Sequence, residues 1–140
     1  MLFRSVVVNC DGGSRGNPGN SALGVVIKTT KGEILEEVGE YLGTQTNNFA
    51  ECMAVVRALE VMKEKELYRA DFYLDSELVV RQINGEYKIK SENIAHLHQR
   101  IKELSKGMEL TFSHVYRKDN TEADRLVNKV LDSLTDRQKG

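Results

Sequence analysis

The sequence predicts an α/β fold, in which helices pack on the faces of a mixed β-sheet. Three strand-like segments come first, and segments with the apolar period of an amphipathic helix then alternate with further strands. With 140 residues, the chain can bury the core of one domain without a disulfide or a metal as a staple. We therefore predict a single domain over residues 1–140, with a disordered polar tail at about 136–140.

The first half of the chain predicts an antiparallel meander of three strands. Three consecutive valines lie inside the first strand, Phe3 to Cys10, and indicate burial on both faces. Asp11 to Asn20 is dense in glycine and asparagine, which predicts a turn. Ala22 to Thr30 and Ile34 to Tyr41 then predict two strands joined around a lysine–glycine turn.

The second half predicts helices that alternate with short apolar strands. Apolar residues recur on one face of each long helix. Gly85 is expected to end the second helix and Ser91 to cap the third. The predicted segments are a helix at Asn48–Lys65, a strand at Ala70–Leu74, a helix at Ser76–Asn84, a helix at Glu92–Lys106, a strand at Glu109–Val115 and a helix from Asp119 to about Thr135.

Composition restricts the class of protein. A formal net charge of −1 and a pI near 6.3 exclude a globally basic nucleic-acid binder, so any such affinity must be local. Cys10 and Cys52 match no metal-ligand spacing and are interpreted as reduced, buried thiols, with a single disulfide as the alternative. The N-terminus lacks the apolar segment of a signal peptide and no segment has membrane-spanning length, so we expect a cytoplasmic monomer.

Four carboxylates stand where predicted elements begin or end. Asp11 follows the first strand, and Asp75 follows the strand after the first helix. The carboxyl ends of neighbouring parallel strands meet at one crevice of an open α/β sheet. Glu51 lies in the first turn of one helix and Asp124 in the first turns of the last helix. These positions predict one site built from two strand ends and two helix N-termini.

Each of these carboxylates also has an ordinary interpretation. Asp11 could start a turn, Asp75 could cap a helix, and the other two could complement helix dipoles. Together, however, the four need a common cause, because clustered carboxylates repel one another unless cations lie between them. Oxygen-only ligands suit Mg²⁺ or Mn²⁺, and such a site favours in-line displacement at a phosphodiester by two metal ions. The glycine pair that begins with Gly12 would let a phosphate or metal approach the backbone.

Four segments resemble type 1 ribonuclease H. They occur in the family's order, spread over nearly the whole chain, and are highly specific as a set. The segments are Asp11-Gly12-Gly13-Ser14-Arg15-Gly16-Asn17-Pro18-Gly19, Thr46-Asn47-Asn48-Phe49-Ala50-Glu51, Leu74-Asp75-Ser76-Glu77 and Asn120-Thr121-Glu122-Ala123-Asp124. The resemblance implies a ribonuclease H-like catalytic domain with a five-stranded sheet in the order 3-2-1-4-5, its first three strands antiparallel, and helices on both faces.

The resemblance also implies an activity and roles for the carboxylates. It implies an endonuclease that hydrolyses the RNA strand of RNA–DNA hybrids and leaves 5′-phosphate and 3′-hydroxyl ends. Two Mg²⁺ or Mn²⁺ ions would be the cofactors. Asp11 would bridge both ions, and Asp124 would help to hold the ion that activates water. Glu51 and Asp75 would serve the other ion.

Further residues of these segments are implied to contact the hybrid. The expected substrate-binding residues are Gly12, Asn17, Thr46, Asn47, Asn48 and Ser76. The three asparagines would lie along the minor groove, where 2′-hydroxyls and base edges are displayed. Thr46 would lie near a DNA phosphate. Turn and cap chemistry is the alternative role for the asparagines.

The sequence departs from the family in three places. Many members carry a mobile histidine before the last helix, but here the loop holds Arg117. Arginine cannot shuttle a proton, so as a catalytic residue Arg117 would hold phosphate or ease product release. His114 falls in the last predicted strand, where a packing or surface role is expected. The chain has no tryptophan and no basic protrusion, which predicts weak, salt-sensitive binding, and Glu77 replaces a common glutamine beside the site.

Two other functions fit parts of this pattern. A nuclease of the same fold that cuts double-stranded RNA, or a domain related to reverse transcriptases, would use the same carboxylates. A catalytically silent nucleic-acid-binding module is a different class, but binding alone favours positive rather than clustered negative side chains. Cleavage assays on hybrid and on double-stranded RNA, with Asp11→Asn as the inactive control, separate these alternatives.

Overall fold

The computed structural model describes residues 4–139, with side chains described for residues 4–134. The tail expected at about 136–140 lies outside the described side chains and stays a prediction. The described elements are β1 (Ser5–Gly16), β2 (Gly19–Thr29), β3 (Ile34–Gln45), α1 (Asn47–Glu64), β4 (Arg69–Leu74), α2 (Glu77–Ile83), α3 (Glu92–Leu104), β5 (Glu109–His114), a 3-10 turn (Arg117–Asp119) and α4 (Thr121–Lys139).

The five strands form one mixed sheet in the order β3-β2-β1-β4-β5. β1, β2 and β3 pair antiparallel as a meander, and β4 and β5 run parallel to β1. Each parallel strand follows a helical connection, because a parallel neighbour can be reached only by crossing the sheet. The predicted order and strand directions are therefore confirmed.

The predicted turn from Asp11 to Asn20 is wrong, because β1 continues through most of it. β1 stays paired with β2 up to Gly16, and the reversal is confined to the few residues before Gly19. One glycine in this stretch, Gly12, serves close packing rather than a turn. A Cβ atom on Gly12 would overlap the backbone of Ala50 in α1, so only glycine fits there.

The third strand is also longer than predicted. β3 continues past Tyr41 to Gln45, because a bulge opposite the Ser21–Ala22 step of β2 absorbs an extra residue and pairing then resumes. Gly43 lies in this bulge with a positive φ of 77°. Its carbonyl accepts a hydrogen bond from the Ser21 hydroxyl at 2.8 Å.

The helices cover the two faces of the sheet, as predicted. The larger core lies under α1 and α3, and includes Val8, Leu59 and Phe72, all fully buried. The smaller core lies under α4, where Val127 and Leu131 pack on Ala22 of β2. The central strands therefore bury apolar side chains on both faces of the sheet, as the valine run of β1 indicates.

Helix ends shift slightly from the predicted ones for identifiable reasons. α4 begins at Thr121 rather than Asp119, because Arg117–Asp119 forms a separate 3-10 turn.

Cys10 and Cys52 are buried free thiols, so the predicted reduced state is the one described. Among the described residues, the helices are too short or too polar to cross a bilayer.

Candidate active site

Asp11 and Asp75 lie side by side because β1 and β4 run parallel up to them. The last residues that pair between the two strands are Cys10 in β1 and Leu74 in β4. Asp11 and Asp75 are the next residues along the chain. Asp11 is only 5% exposed. Carboxylate oxygens of Asp11, Asp75 and Glu51 all lie within 4.8 Å of one another. Three of the four predicted metal ligands thus form a compact group.

Glu51 reaches this group from the second turn of α1; the predicted place in the first turn is wrong, because α1 begins one residue earlier than predicted, at Asn47. Because Gly12 has no side chain, the helix packs directly on the β1 backbone at Ala50, the residue before Glu51. Glu51 is 7% exposed, and its Oε2 atom is buried without a hydrogen-bond partner among the described residues. A buried acceptor without a donor is costly, and a bound cation would satisfy it. This atom is therefore direct support for a cation at the site.

The start of α4 is fastened to β1, which brings Asp124 next to the group. The Asn120 side chain donates to the Cys10 carbonyl at 2.8 Å and accepts from the Asn9 amide at 3.0 Å. Asn120 is 1% exposed, and its own carbonyl accepts the Asp124 N–H at 3.1 Å. The strand that carries Asp11 therefore positions the helix turn that carries Asp124.

Two donors hold the Asp124 side chain at the edge of the compact group. Arg117 Nη2 lies 3.3 Å from Asp124 Oδ1, and Asn128 Nδ2 lies 3.2 Å from Oδ2. Asn120 opens one of the four family-like segments, but the sequence pattern assigns no role at the site to it or to Asn128. The four-residue spacing between Asp124 and Asn128 is the one signal that a helix would place them in contact.

Burial and mutual repulsion oppose ionisation of the two most buried carboxylates. Burial, followed by the charge of Asp75, raises the pKa of Asp11 from 3.8 to about 8, and Asp124 adds to the rise. Burial and then the charge of Asp11 raise the pKa of Glu51 well above its ordinary value. Divalent cations would offset both effects, and an all-oxygen donor set fits Mg²⁺ or Mn²⁺.

The carboxylates open into a cleft of about 700 Å³. All four acidic residues and Arg117 line it, together with most of the expected substrate-binding residues. The substrate-binding residues that line the cleft are Gly12, Asn17, Asn47, Asn48 and Ser76. Thr46 lies next to the cleft in the chain but is not among its described lining residues.

The asparagines combine structural roles with open polar atoms. Asn47 Oδ1 accepts from the Ser14 N–H at 2.8 Å, and Asn17 Oδ1 accepts from the Asn47 N–H at 3.1 Å. These two side chains therefore link the β1–β2 hairpin to α1, which is the turn chemistry foreseen as the alternative. Asn48 Oδ1 is buried without a partner among the described residues and is available to a donor.

Thr46 and Ser76 both cap helices. The Thr46 hydroxyl accepts from the Phe49 N–H at 3.1 Å, and the Ser76 hydroxyl accepts from the Val79 N–H at 3.3 Å. The alternative that Asp75 caps α2 is wrong, because Ser76 occupies the cap position. The Asp75 carboxylate is thus not used in starting the helix.

Among the residues that depart from the family pattern, Arg117 is the one that belongs to the described lining of the cleft. Arg117 is in the loop before α4, with a side chain that is 75% exposed. His114 ends β5 and is exposed, which agrees with the surface role expected for it. Glu77 forms an ion pair with Arg81 at 2.9 Å, which offsets the like charge expected beside the site.

Comparisons with known proteins agree on the family. The sequence model of the family described as "Reverse transcriptase-like" matches residues 9–130. "Ribonuclease H" of Ruthia magnifica subsp. Calyptogena magnifica is 30% identical over 148 residues, which cover 95% of this chain and 99% of the relative. The chain therefore belongs to the ribonuclease H family, as its four segments indicate.

Two further comparisons show how much of a relative's length this chain covers. "Bifunctional protein Rv2228c" of Mycobacterium tuberculosis is 35% identical over 130 residues, which cover 91% of this chain but 36% of that protein. The chain thus spans little more than a third of that relative's length. The crystal structure of LC11-RNase H1 in complex with RNA/DNA hybrid superposes with a TM-score of 0.88 at 38% identity, covering 93% of this chain and 99% of that one.

Proposed function

We propose that this chain is an endonuclease that hydrolyses the RNA strand of RNA–DNA hybrids with two divalent metal ions and leaves 5′-phosphate and 3′-hydroxyl ends. The observation that carries the proposal is the compact group of buried Asp11 and Glu51 with half-buried Asp75, which lines an open cleft together with Asp124. A group of this kind is unfavourable for a folded protein unless it binds cations. The site therefore needs a positively charged ligand to function.

The resemblance to type 1 ribonuclease H suggests how the four carboxylates would share the ions. Asp11 would serve both ions; Asp124 would help to hold one of them, while Glu51 and Asp75 would hold the other. When bound, such ions lower the pKa of an attacking water and stabilise the departing 3′ oxygen. The protein's own part is to hold the four carboxylates rigidly and to seat the scissile phosphate against them. Mg²⁺ and Mn²⁺ both suit the oxygen ligands.

The cleft supports a nucleic-acid duplex as substrate rather than a small molecule. It is open and is lined at Gly12 and by the asparagines Asn17, Asn47 and Asn48. Amide side chains of this kind can contact 2′-hydroxyls and base edges in the wide minor groove of an RNA-containing duplex. Ser76 and Thr46 would contact the backbone from the helix starts. The 38% identical LC11 protein was crystallised with an RNA/DNA hybrid, which favours the hybrid over double-stranded RNA.

Arg117 is proposed to assist turnover at the rim of the cleft. Its guanidinium lies 3.3 Å from Asp124 and is mostly exposed, so it can exchange this carboxylate for a phosphate oxygen. Arginine stays protonated at all working pH values, so it would bind phosphate rather than transfer a proton. A cytoplasmic location and a monomeric state remain predictions.

The test is hydrolysis of an end-labelled RNA–DNA hybrid by the purified chain with Mg²⁺, with Mn²⁺ and with EDTA. We expect cleavage of the RNA strand alone, dependent on the metal, with 5′-phosphate and 3′-hydroxyl product ends. Asp11→Asn should abolish cleavage while hybrid binding persists or improves, because a repelling charge is removed. An intact hybrid at every metal concentration contradicts the proposal.

Parallel substrates separate the related activities. Double-stranded RNA of the same sequence should be cut much more slowly than the hybrid, and double-stranded DNA should not be cut. Equal rates on hybrid and double-stranded RNA would favour the broader nuclease. Binding without cleavage by the unaltered chain would favour the silent binding module.

A further inference from the structure

We propose that Asn128 is a positioning residue that orients the Asp124 carboxylate for its cation. This inference rests on the proposed function and concerns a residue of α4 outside the four carboxylates. Asn128 lines the same cleft, one helical turn beyond Asp124. Its Nδ2 atom lies 3.2 Å from Asp124 Oδ2, which is hydrogen-bonding distance for an amide donor and a carboxylate.

Asp124 needs such a donor because its other described side-chain hydrogen bond comes from a mostly exposed arginine, Arg117. Asp11, Glu51 and Asp75 form the compact group within 4.8 Å, and this group does not include Asp124. Its side chain is 24% exposed. Asn120 fixes the Asp124 backbone through the first turn of α4, but this bond does not restrict rotation about χ1 and χ2 of the side chain. A bond to one carboxylate oxygen removes that freedom and presents the other oxygen in a set direction.

The two donors of Asp124 differ in a way that assigns them different roles. Arg117 brings a full positive charge on a side chain that is 75% exposed, so it competes with a cation for the same carboxylate. Asn128 is neutral and half-buried on a rigid helix, so it can remain in place while a cation binds. Ligating carboxylates commonly have hydrogen-bond partners of this kind, and losing one costs roughly 10-fold or more in metal affinity or activity.

The chemistry of the amide also matches the position. An aspartate at 128 would add a fifth negative charge, and a lysine would repel the cation. An amide supplies a donor without either effect. The spacing of four residues brings the two side chains together on one face of α4, as in other Gln–Asp and Asn–Asp pairs along helices. The cleft-facing surface of α4 thus carries a ligand and its support one turn apart.

The test compares Asn128→Ala with two matched variants. Asn128→Gln keeps an amide within reach of Asp124, and Lys129→Ala removes the neighbouring side chain, which is exposed on α4. We expect Asn128→Ala to lower kcat on the hybrid roughly 10-fold and to raise the Mg²⁺ requirement by a similar factor. KM for the hybrid should change less than about two-fold, whereas Asn128→Gln should regain most of the rate and Lys129→Ala should match the unaltered chain.

A second measurement does not depend on activity. Mn²⁺ titration calorimetry without nucleic acid should show weaker binding of one ion in Asn128→Ala. The same change made on top of Asp124→Asn should have no further effect, because residues that act through one carboxylate are not additive. Equal losses in both backgrounds, or Mn²⁺ and Mg²⁺ dependence like that of the unaltered chain, would overturn the role of Asn128. Failure of the unaltered chain to cut hybrid would refute the proposed function, while the calorimetry would still decide on Asn128.

Discussion

Replacing Asp11 by asparagine should stabilise the metal-free protein, although it is also expected to abolish cleavage. The change is Asp11→Asn, which keeps the side-chain volume and replaces an ionisable group by a neutral one. Asp11 is 5% exposed, and burial together with the charge of Asp75 raises its pKa to about 8. A folded protein that holds groups of like charge close together gains stability when one of these groups is replaced by a neutral one.

The size of the effect follows from proton linkage. In the unfolded chain Asp11 releases its proton near its ordinary pKa of 3.8, whereas the folded protein keeps the proton up to about pH 8. The folded state therefore binds more protons between these values, so its stability falls as pH rises through that window. At 1.36 kcal/mol per pH unit, the cost at about pH 7 is at most about 4 kcal/mol. At about pH 5 it is under about 2 kcal/mol. Asparagine needs no proton and avoids this cost.

Urea unfolding in EDTA, followed by circular dichroism, measures this difference. Asp11→Asn should have the higher free energy of unfolding at neutral pH, and its advantage should shrink as the pH is lowered toward 4. Mg²⁺ should reduce the difference, since it stabilises only a chain that binds it. Asp119→Asn, an exposed aspartate near the site, is the control and should change stability by less than about 0.5 kcal/mol. An Asp11→Asn variant that is no more stable than the unaltered chain at neutral pH in EDTA would refute the reasoning.

Three further perturbations test other parts of the structure. Gly12→Ala should lower the free energy of unfolding by about 2 kcal/mol or more, because its Cβ would overlap α1. Gly13→Ala is the matched control, since its Cβ would meet only Val127 at 3.7 Å, and equal effects of the two changes would contradict the packing argument. Asn120→Ala should cost about 2 kcal/mol or more in urea unfolding, because two buried polar groups of β1 lose their partner, and unchanged stability would disprove this. Arg117→Ala should reduce the salt slope of hybrid binding by about 1, because one phosphate contact is lost; a salt slope equal to that of the unaltered chain would contradict phosphate binding by Arg117.

The parts of the fold that could be predicted from sequence depend on local patterns. The valine run of β1 and the apolar stripes of the long helices fix which faces are buried, and strands separated by helices imply parallel pairing. Asp11 and Asp75 could be expected together because both directly follow apolar runs of strands that point in the same direction. These inferences use only the period of the side chains and the rules of sheet connection.

The remaining features depend on contacts between distant segments. The glycines after Asp11 look like a turn in the sequence. In the structure, position 12 needs glycine because the backbone of α1 packs directly against it. Nothing near Asn120 in the chain indicates that its amide binds a carbonyl of β1, which lies 110 residues away. Asn128 likewise looks like an ordinary polar residue on a helix surface. Tertiary packing selects these residues, so a single sequence does not reveal them.

The location of the site follows from where β4 ends. Up to Cys10, β1 is paired on both sides, by β2 and β4, and the sheet separates α1 from α4. From Asp11 onward β1 has no β4 residue beside it, so at that edge no strand lies between the two faces of the sheet. Gly12 admits α1 to one face, and Gly24, which pairs with Asp11 across the meander, admits α4 at Ala123 on the other. Glu51 and Asp124, each the residue after a helix contact with glycine, can therefore both reach Asp11. In this fold, β1 extends beyond the end of β4, and a glycine lies under each of the two helices. These two features together bring acidic groups from both faces of the sheet to one site.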